Sequence, residues 1–244
     1  MRGSHRRQFQ PLHGYETDYR ALLARVVAAP GIRQRELALF WPKIGSQYGG
    51  DLLVIGRAVN RWIDRWVLDE LSDVAAPAAV ARETAEGTVN GDQLGWVLDR
   101  WKRGDGGYDT STSQFWETLR RVVLARCSEQ SAVWPSHIAW TNLAKVAPWA
   151  GGNPSSRLLT IQREAGIPLL RREVDELAAR CVVAFTGRGW FEPYAAGLGL
   201  DVAWRDGLVQ GVANERDRRW VVAVHPMTRS PRAVAEAVIA ALEE

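Results

Sequence analysis

Apolar positions recur along the chain in two ways that predict different elements. Helical spacing of apolar residues fills 16–29 and 115–126. Short continuous apolar runs at 51–56, 137–145 and 181–187 are typical of strands that are buried on both faces. Strands and helices therefore alternate, which indicates an α/β fold with a mainly parallel sheet.

The C-terminal part predicts two more strands and a closing helix. The strands span 201–213 and 218–224, and a turn at 214–217 joins them. A Ser-Pro pair then starts a helix over 232–243, because serine favours the N-cap and proline the first helical position.

Three other segments give less regular patterns. Residues 155–179 predict a pair of helices that is broken near Gly166 and Pro168. Trp62 and Trp66, four residues apart, predict a helix after the first strand. We therefore expect a single-domain, three-layer α/β/α fold around a central, mainly parallel four-stranded sheet.

Composition indicates the number of domains and the expected cellular compartment. The chain has 244 residues, of which 46% are hydrophobic, so one domain over 16–244 can bury a core. Residues 1–15 predict a flexible basic terminus, and its opening Met-Arg-Gly-Ser-His resembles a vector leader. Two cysteines and the lack of a long apolar run favour a cytoplasmic protein without a membrane helix.

Charge and aromatic content leave the partner open. The net charge is only +3, but residues 1–50 hold eight basic against three acidic side chains. This excess fits either a solvated segment or an arm that touches nucleic acid. Twelve tryptophans are expected mainly in the core, with a few available for stacking on bases. No metal-ligand spacing is present, so we expect neither metal nor cofactor.

Candidate chemistry lies where the predicted strands end. Ligands of open parallel sheets bind outside the carboxyl ends of the strands. The segments that follow the strands are 56–60, 140–142, 186–189 and 225–229, and they contain two amides, one imidazole and several arginines.

The order of these segments resembles the uracil-DNA glycosylase superfamily. LLVIGRAVN (52–60) is similar to the family's strand that ends in glycine before a water-holding loop. WTNLAKVAPWAGGNPS (140–155) resembles its Thr-Asn motif, and CVVAFTG (181–187) its third strand. VVAVHPMTR (221–229) matches the strand that leads into His-Pro. The resemblance covers about residues 50–244.

The resemblance implies roles for individual residues. Asn142 matches the asparagine that pairs with a flipped-out base, and His225 the histidine that stabilises the departing base anion. Met227, Thr228 and Arg229 occupy the loop that enters DNA in the family. Tyr108 and Phe115 are both candidates for the ring that stacks on the base, although Phe115 also falls on the apolar face of its helix.

The first motif departs from the family. Ala58 stands where many members have an Asp or Asn that orients water. Asn60, or backbone groups around Arg57 and Ala58, is then the candidate for that role, and the resemblance implies that Gly56, Arg57 and Ala58 contact the base. No cysteine set for an iron–sulfur cluster is present.

Three hypotheses follow. The first is a DNA glycosylase that flips a damaged base, expected to be uracil, and hydrolyses its N-glycosidic bond in single- or double-stranded DNA. The second is a binding member of the same fold with altered chemistry, which Ala58 favours. The third is a small-molecule hydrolase, which no nucleophile motif supports. The oligomeric state stays open.

Overall fold

The computed structural model describes residues 15–33, 36–59, 65–71, 73–104, 107–126 and 131–244. The elements of these residues, in chain order, are α1 (Tyr15–Ala28), β1 (Glu36–Leu39), β2 (Lys43–Ile44), β3 (Leu52–Ala58), β4 (Trp66–Val67), α2 (Ala75–Glu86), α3 (Gly95–Asp99), α4 (Gln114–Arg126), β5 (Ile138–Ala144), β6 (Val146–Pro148), α5 (Ser156–Glu176), β7 (Cys181–Phe185), α6 (Arg188–Leu198), β8 (Ala203–Trp204), β9 (Val209–Glu215), β10 (Arg218–Ala223) and α7 (Pro231–Glu243).

The central sheet is mixed and has seven strands in the order β2-β5-β3-β7-β10-β9-β8. Its four middle strands, β5, β3, β7 and β10, run parallel to one another. The prediction of a four-stranded sheet is therefore wrong in its count. The additional strands pair antiparallel at the two edges, and β2 and β8 have only two residues each, too few to give a sequence pattern.

A second, three-stranded sheet has the order β4-β1-β6. It corrects the helix that was predicted around Trp66, because Trp66 lies in β4 and pairs with Leu37 of β1. Trp62 lies outside the described residues. β6 follows β5 after one residue, so the chain passes from the large sheet directly into the small one.

Helices cover both faces of the large sheet. Alternate strand residues contribute to two separate apolar clusters, as a pleated strand requires. One cluster holds Leu53, Ile55 and Val182 with residues of α1, α2, α5 and α6. The other holds Val54 and Val183 with residues of α3, α4 and α7. Among the described helices, none combines the length and apolar character needed to cross a membrane.

α5 is one helix rather than the predicted pair. It runs through Gly166 and Pro168 without a break over 21 residues. Pro168 does disfavour a continuous helix, since an interior proline removes one helical hydrogen bond. Buried Leu158, Leu169 and Val174 lie on both sides of it, and their packing against the sheet compensates for the lost bond.

Lys145, Glu173 and Thr141 form a buried polar cluster between the end of β5 and α5. The Nζ of Lys145 lies 2.7 Å from Oε2 of Glu173 and 2.6 Å from the hydroxyl of Thr141, and both charged side chains are fully buried. Thr141 also donates to Glu173 at 2.8 Å. Burial lowers the pKa of Lys145, and the charge of Glu173 opposes that shift. These contacts join the end of β5 to α5.

We expect Lys145→Met to destabilise the fold by about 3–5 kcal/mol, because it leaves the Glu173 carboxylate buried without its cation. Urea unfolding at neutral pH measures this loss. Lys145→Met combined with Glu173→Leu should recover most of the stability, since no buried charge then remains. Equal stability of the single and double variants would contradict this account of the ion pair.

Candidate functional site

The carboxyl ends of the four parallel strands form one edge with a common row of residues. Gly56 pairs with Asn142, and Ala223 pairs with Phe185. Ile55 pairs with Ala184, so the next pair along these strands is Gly56 and Phe185. Asn142, Gly56, Phe185 and Ala223 thus cross the sheet side by side. With strands about 4.8 Å apart, the row is roughly 14 Å wide.

Gly56 leaves room for the Asn142 side chain. A Cβ atom added to Gly56 would overlap Oδ1 of Asn142, so only glycine fits beneath the amide. The strand does not end here as predicted, because β3 continues through Arg57 and Ala58, and Ala58 pairs with Ala144. The predicted water-holding loop is therefore strand at positions 57 and 58.

The amide of Asn142 has an unused donor. The residue is 1% exposed, and its Nδ2 atom is buried without a hydrogen-bond partner. A buried, unpaired amide donor costs about 1–3 kcal/mol, so such groups are rare in folded proteins. The orphaned donor marks a place where an external acceptor oxygen would be stabilised.

Aromatic rings pack beside the row of residues at the carboxyl edge. Phe115, at the start of α4, is half-buried, and its ring centroid lies 5.9 Å from that of Phe185 and 6.3 Å from that of Trp140. Trp140 also contacts Phe40 and Trp116, with centroids 4.7 and 5.1 Å away. Of the two stacking candidates, Phe115 is therefore beside the row.

His225 follows β10 at the other end of the row, two residues beyond Ala223. Its Nδ1 accepts the backbone N–H of Met227 at 3.3 Å, which leaves the hydrogen of a neutral ring on Nε2. Burial, and next the positive charge of Arg57, lower the pKa of His225 to about 4. At neutral pH the ring is an uncharged donor.

Arg57 extends from β3 toward α6. Its Nε donates to the carbonyl oxygen of Thr186 at 2.7 Å, and its guanidinium lies 5.3 Å from the centroid of the Trp190 ring. Gly187, with a φ of +78°, lies beside it, and a Cβ there would be 3.4 Å from Nη2 of Arg57. Burial lowers the pKa of Arg57.

The turn after His225 is short, with Pro226 buried and Met227 exposed. Pro226–Thr228 form a 3₁₀ turn that contacts α4, and the Met227 side chain is 63% exposed. Arg229 is exposed as well. The backbone of Thr228 belongs to the turn, but its side chain is outside the described part. This predicted DNA-contacting segment therefore presents an apolar and a basic side chain to solvent.

The structure does not place every predicted residue at this edge. Asn60 lies outside the described residues. Tyr108 is 51% exposed in the loop before the 110–112 turn, and no described contact ties it to the row. Ala58, like Phe115, packs against the cluster that holds Val54 and Val183, but its methyl group offers no hydrogen bond for water.

Sequence reasoning missed two residues that shape the edge. Phe185 lies in the middle of the row. Its position as the last apolar residue before Thr186-Gly187 could have indicated that it lies at the end of the strand. Trp190 supports Arg57, but nothing in the sequence distinguishes it from a core tryptophan. Both depend on strand register, which the sequence alone did not supply.

Other concave and polar regions differ from this edge. A cavity of about 240 Å³ opens at the opposite, amino-terminal ends of β3 and β5. Arg180 pairs there with Asp51, and Arg126 donates to Sγ of Cys181 at 3.4 Å, so these two cations are engaged within the protein. In the described ranges, no three His, Cys, Asp or Glu side chains converge to hold a metal ion.

Comparison with known proteins found no relative: no protein-family model matches the chain, and no curated protein is similar to it at a significant level.

We expect Gly56→Ala to displace the Asn142 side chain and to destabilise the fold by about 1–3 kcal/mol, the usual cost of an overpacked site. Thermal unfolding measures the loss. Gly189→Ala is the matched control, because a Cβ there meets nothing within 4 Å and α6 tolerates alanine. The expectation fails if the two variants unfold alike.

His225 should stay neutral well below its ordinary pKa. NMR of the ring nitrogens is expected to show a hydrogen on Nε2 at pH 7 and protonation only near pH 4. Since the unfolded chain takes up this proton at about pH 6.5, stability should fall as the pH drops from 6.5 to 4. His225→Gln should lack that part of the dependence. A ring that titrates near 6.5 in the folded protein would contradict the burial argument.

Proposed function

We propose that this chain is a DNA glycosylase-like protein that binds an extruded base, with uracil as the expected base, and hydrolyses its N-glycosidic bond. The family resemblance of four motifs supports this proposal, and so does the position of those motifs along one sheet edge. Extrusion is needed because the reacting bond is inaccessible in stacked DNA.

The orphaned Nδ2 donor of Asn142 is the observation on which the proposal rests. It calls for an acceptor, such as the exocyclic O4 of uracil, and disfavours bases that present an amino group at that position. Phe115 is the candidate to stack on the base, because it is half-buried next to the row.

His225 has the properties needed at the other side of the base. When water attacks C1′ and the C1′–N1 bond breaks, the bonding electrons pass to the base, and the water proton is released. Negative charge then develops on O2 of uracil. A neutral Nε2–H donor that is already fixed by the Met227 amide stabilises this charge without reorganisation.

A binding member of the same fold is the second candidate, and Ala58 favours it. The methyl group of Ala58 cannot orient a water molecule, and Asn60, the other candidate for orienting water, lies outside the described residues. Such a protein would use Asn142 to hold a base and would not turn it over.

The test is excision from single- and double-stranded oligonucleotides that carry uracil, hypoxanthine or xanthine, with alkali to cleave abasic products. We expect His225→Ala to lower the rate by about 10²-fold or more, the effect of removing one preorganised donor. Asn142→Asp, which keeps the shape but removes the Nδ2 donor, should lower excision of uracil as well.

Asn214→Ala provides the matched control, since Asn214 is an exposed amide on β9. It should excise like the wild type. Excision that survives both site variants would refute the assignment of this edge. A folded wild type that binds the oligonucleotides but yields no product with any base would favour the binding member.

A further inference from the structure

Arg57 is a half-buried cation, and none of the described carboxylates forms an ion pair with it. Within the described residues, its interactions are the Nε hydrogen bond to Thr186 and the contact with the Trp190 ring. Neither uses the two terminal NH₂ groups. Because the side chain is only half-buried, these terminal groups are not buried donors, and they remain free to donate to an external acceptor.

The neighbouring strands bring this guanidinium toward His225. β7 lies between β3 and β10, and Thr186, which accepts from Arg57, directly follows β7. The next residue, Gly187, donates its N–H to the carbonyl oxygen of Ala223 at 2.9 Å, two residues before His225. Arg57 and His225 therefore lie on the two sides of the Thr186–Gly187 segment, and the positive charge of Arg57 contributes to lowering the pKa of His225.

We propose that Arg57 and His225 together form an oxyanion subsite at the carboxyl ends of β3, β7 and β10. The ligand supplies an anionic oxygen, which accepts from the terminal NH₂ groups of Arg57 and from Nε2–H of His225. Arg57 is fixed in advance by Thr186 and Trp190, so it loses little conformational freedom on binding.

Two oxygens of a nucleotide substrate have this chemistry. One is a phosphate oxygen beside the extruded nucleoside, which is charged at all times. The other is O2 of the departing base, which becomes charged during bond cleavage. The subsite deepens the proposed function, but its binding can be measured without any turnover.

The first experiment measures binding of inorganic phosphate, deoxyuridine and deoxyuridine 5′-monophosphate by calorimetry to wild type, Arg57→Gln and Arg57→Lys. If phosphate is the occupant, Arg57→Gln should bind phosphate and the monophosphate about tenfold or more weakly, and deoxyuridine equally well. Arg57→Lys keeps the positive charge but loses the planar guanidinium with its two NH₂ donors, so it should retain part of the phosphate affinity.

Arg188→Gln is the matched control. Arg188 belongs to the same edge and stands over the Trp204 ring at 5.1 Å, as Arg57 stands over Trp190. It is exposed and bonds to the carboxylate of Glu192 at 2.9 Å, so its charge is already paired. Its removal should change neither phosphate nor monophosphate binding. Thermal unfolding of each variant verifies that it is folded.

The second experiment measures excision of uracil at saturating oligonucleotide. If O2 of the base is the occupant, Arg57→Gln should lower the rate about tenfold or more while phosphate binding is absent or unchanged. Phosphate binding that depends on Arg57, without excision by the wild type, supports the subsite and counts against the glycosylase proposal. The subsite is refuted if folded Arg57→Gln matches the wild type in both measurements.

Discussion

The backbone ladder that joins β3 to β5 on one side and to β7 on the other determines the geometry of the whole carboxyl edge. It places Gly56 directly opposite Asn142 and brings Phe185 to the same level. A shift of the register by one residue would turn Asn142 to the other face of the sheet. The orphaned amide, the aromatic rings next to it and the glycine beneath it therefore occur together only in this register.

The polar groups near this edge fall into two kinds. Lys145 and Glu173 are fully buried and neutralise each other through Oε2 of Glu173, so the pair stabilises the end of β5, although Oε1 of Glu173 has no hydrogen-bond partner among the described residues. Asn142 and Arg57 keep donors that the described protein leaves unused. This difference separates groups that hold the fold together from groups that are available for recognition.

Sequence patterns predicted the four parallel strands, because burial on both faces gives a continuous apolar run, and they predicted α1, α4 and α7 from helical spacing and capping residues. They failed where tertiary packing outweighs local preference, as in α5, which continues through Pro168. They also failed at two-residue edge strands, which leave no period to detect. Asn142 and His225 were predicted through a family resemblance, whereas the support of Arg57 by Trp190 depends on contacts between distant segments.

The overlap between a side chain at position 56 and the amide at position 142 has an evolutionary consequence. As long as asparagine occupies 142, every substitution at 56 that adds a Cβ meets Oδ1. A shorter residue at 142 would relieve that constraint and open position 56 to other amino acids. Related chains should therefore exchange these two residues together, and a lineage that lost the amide would be free to lose the glycine.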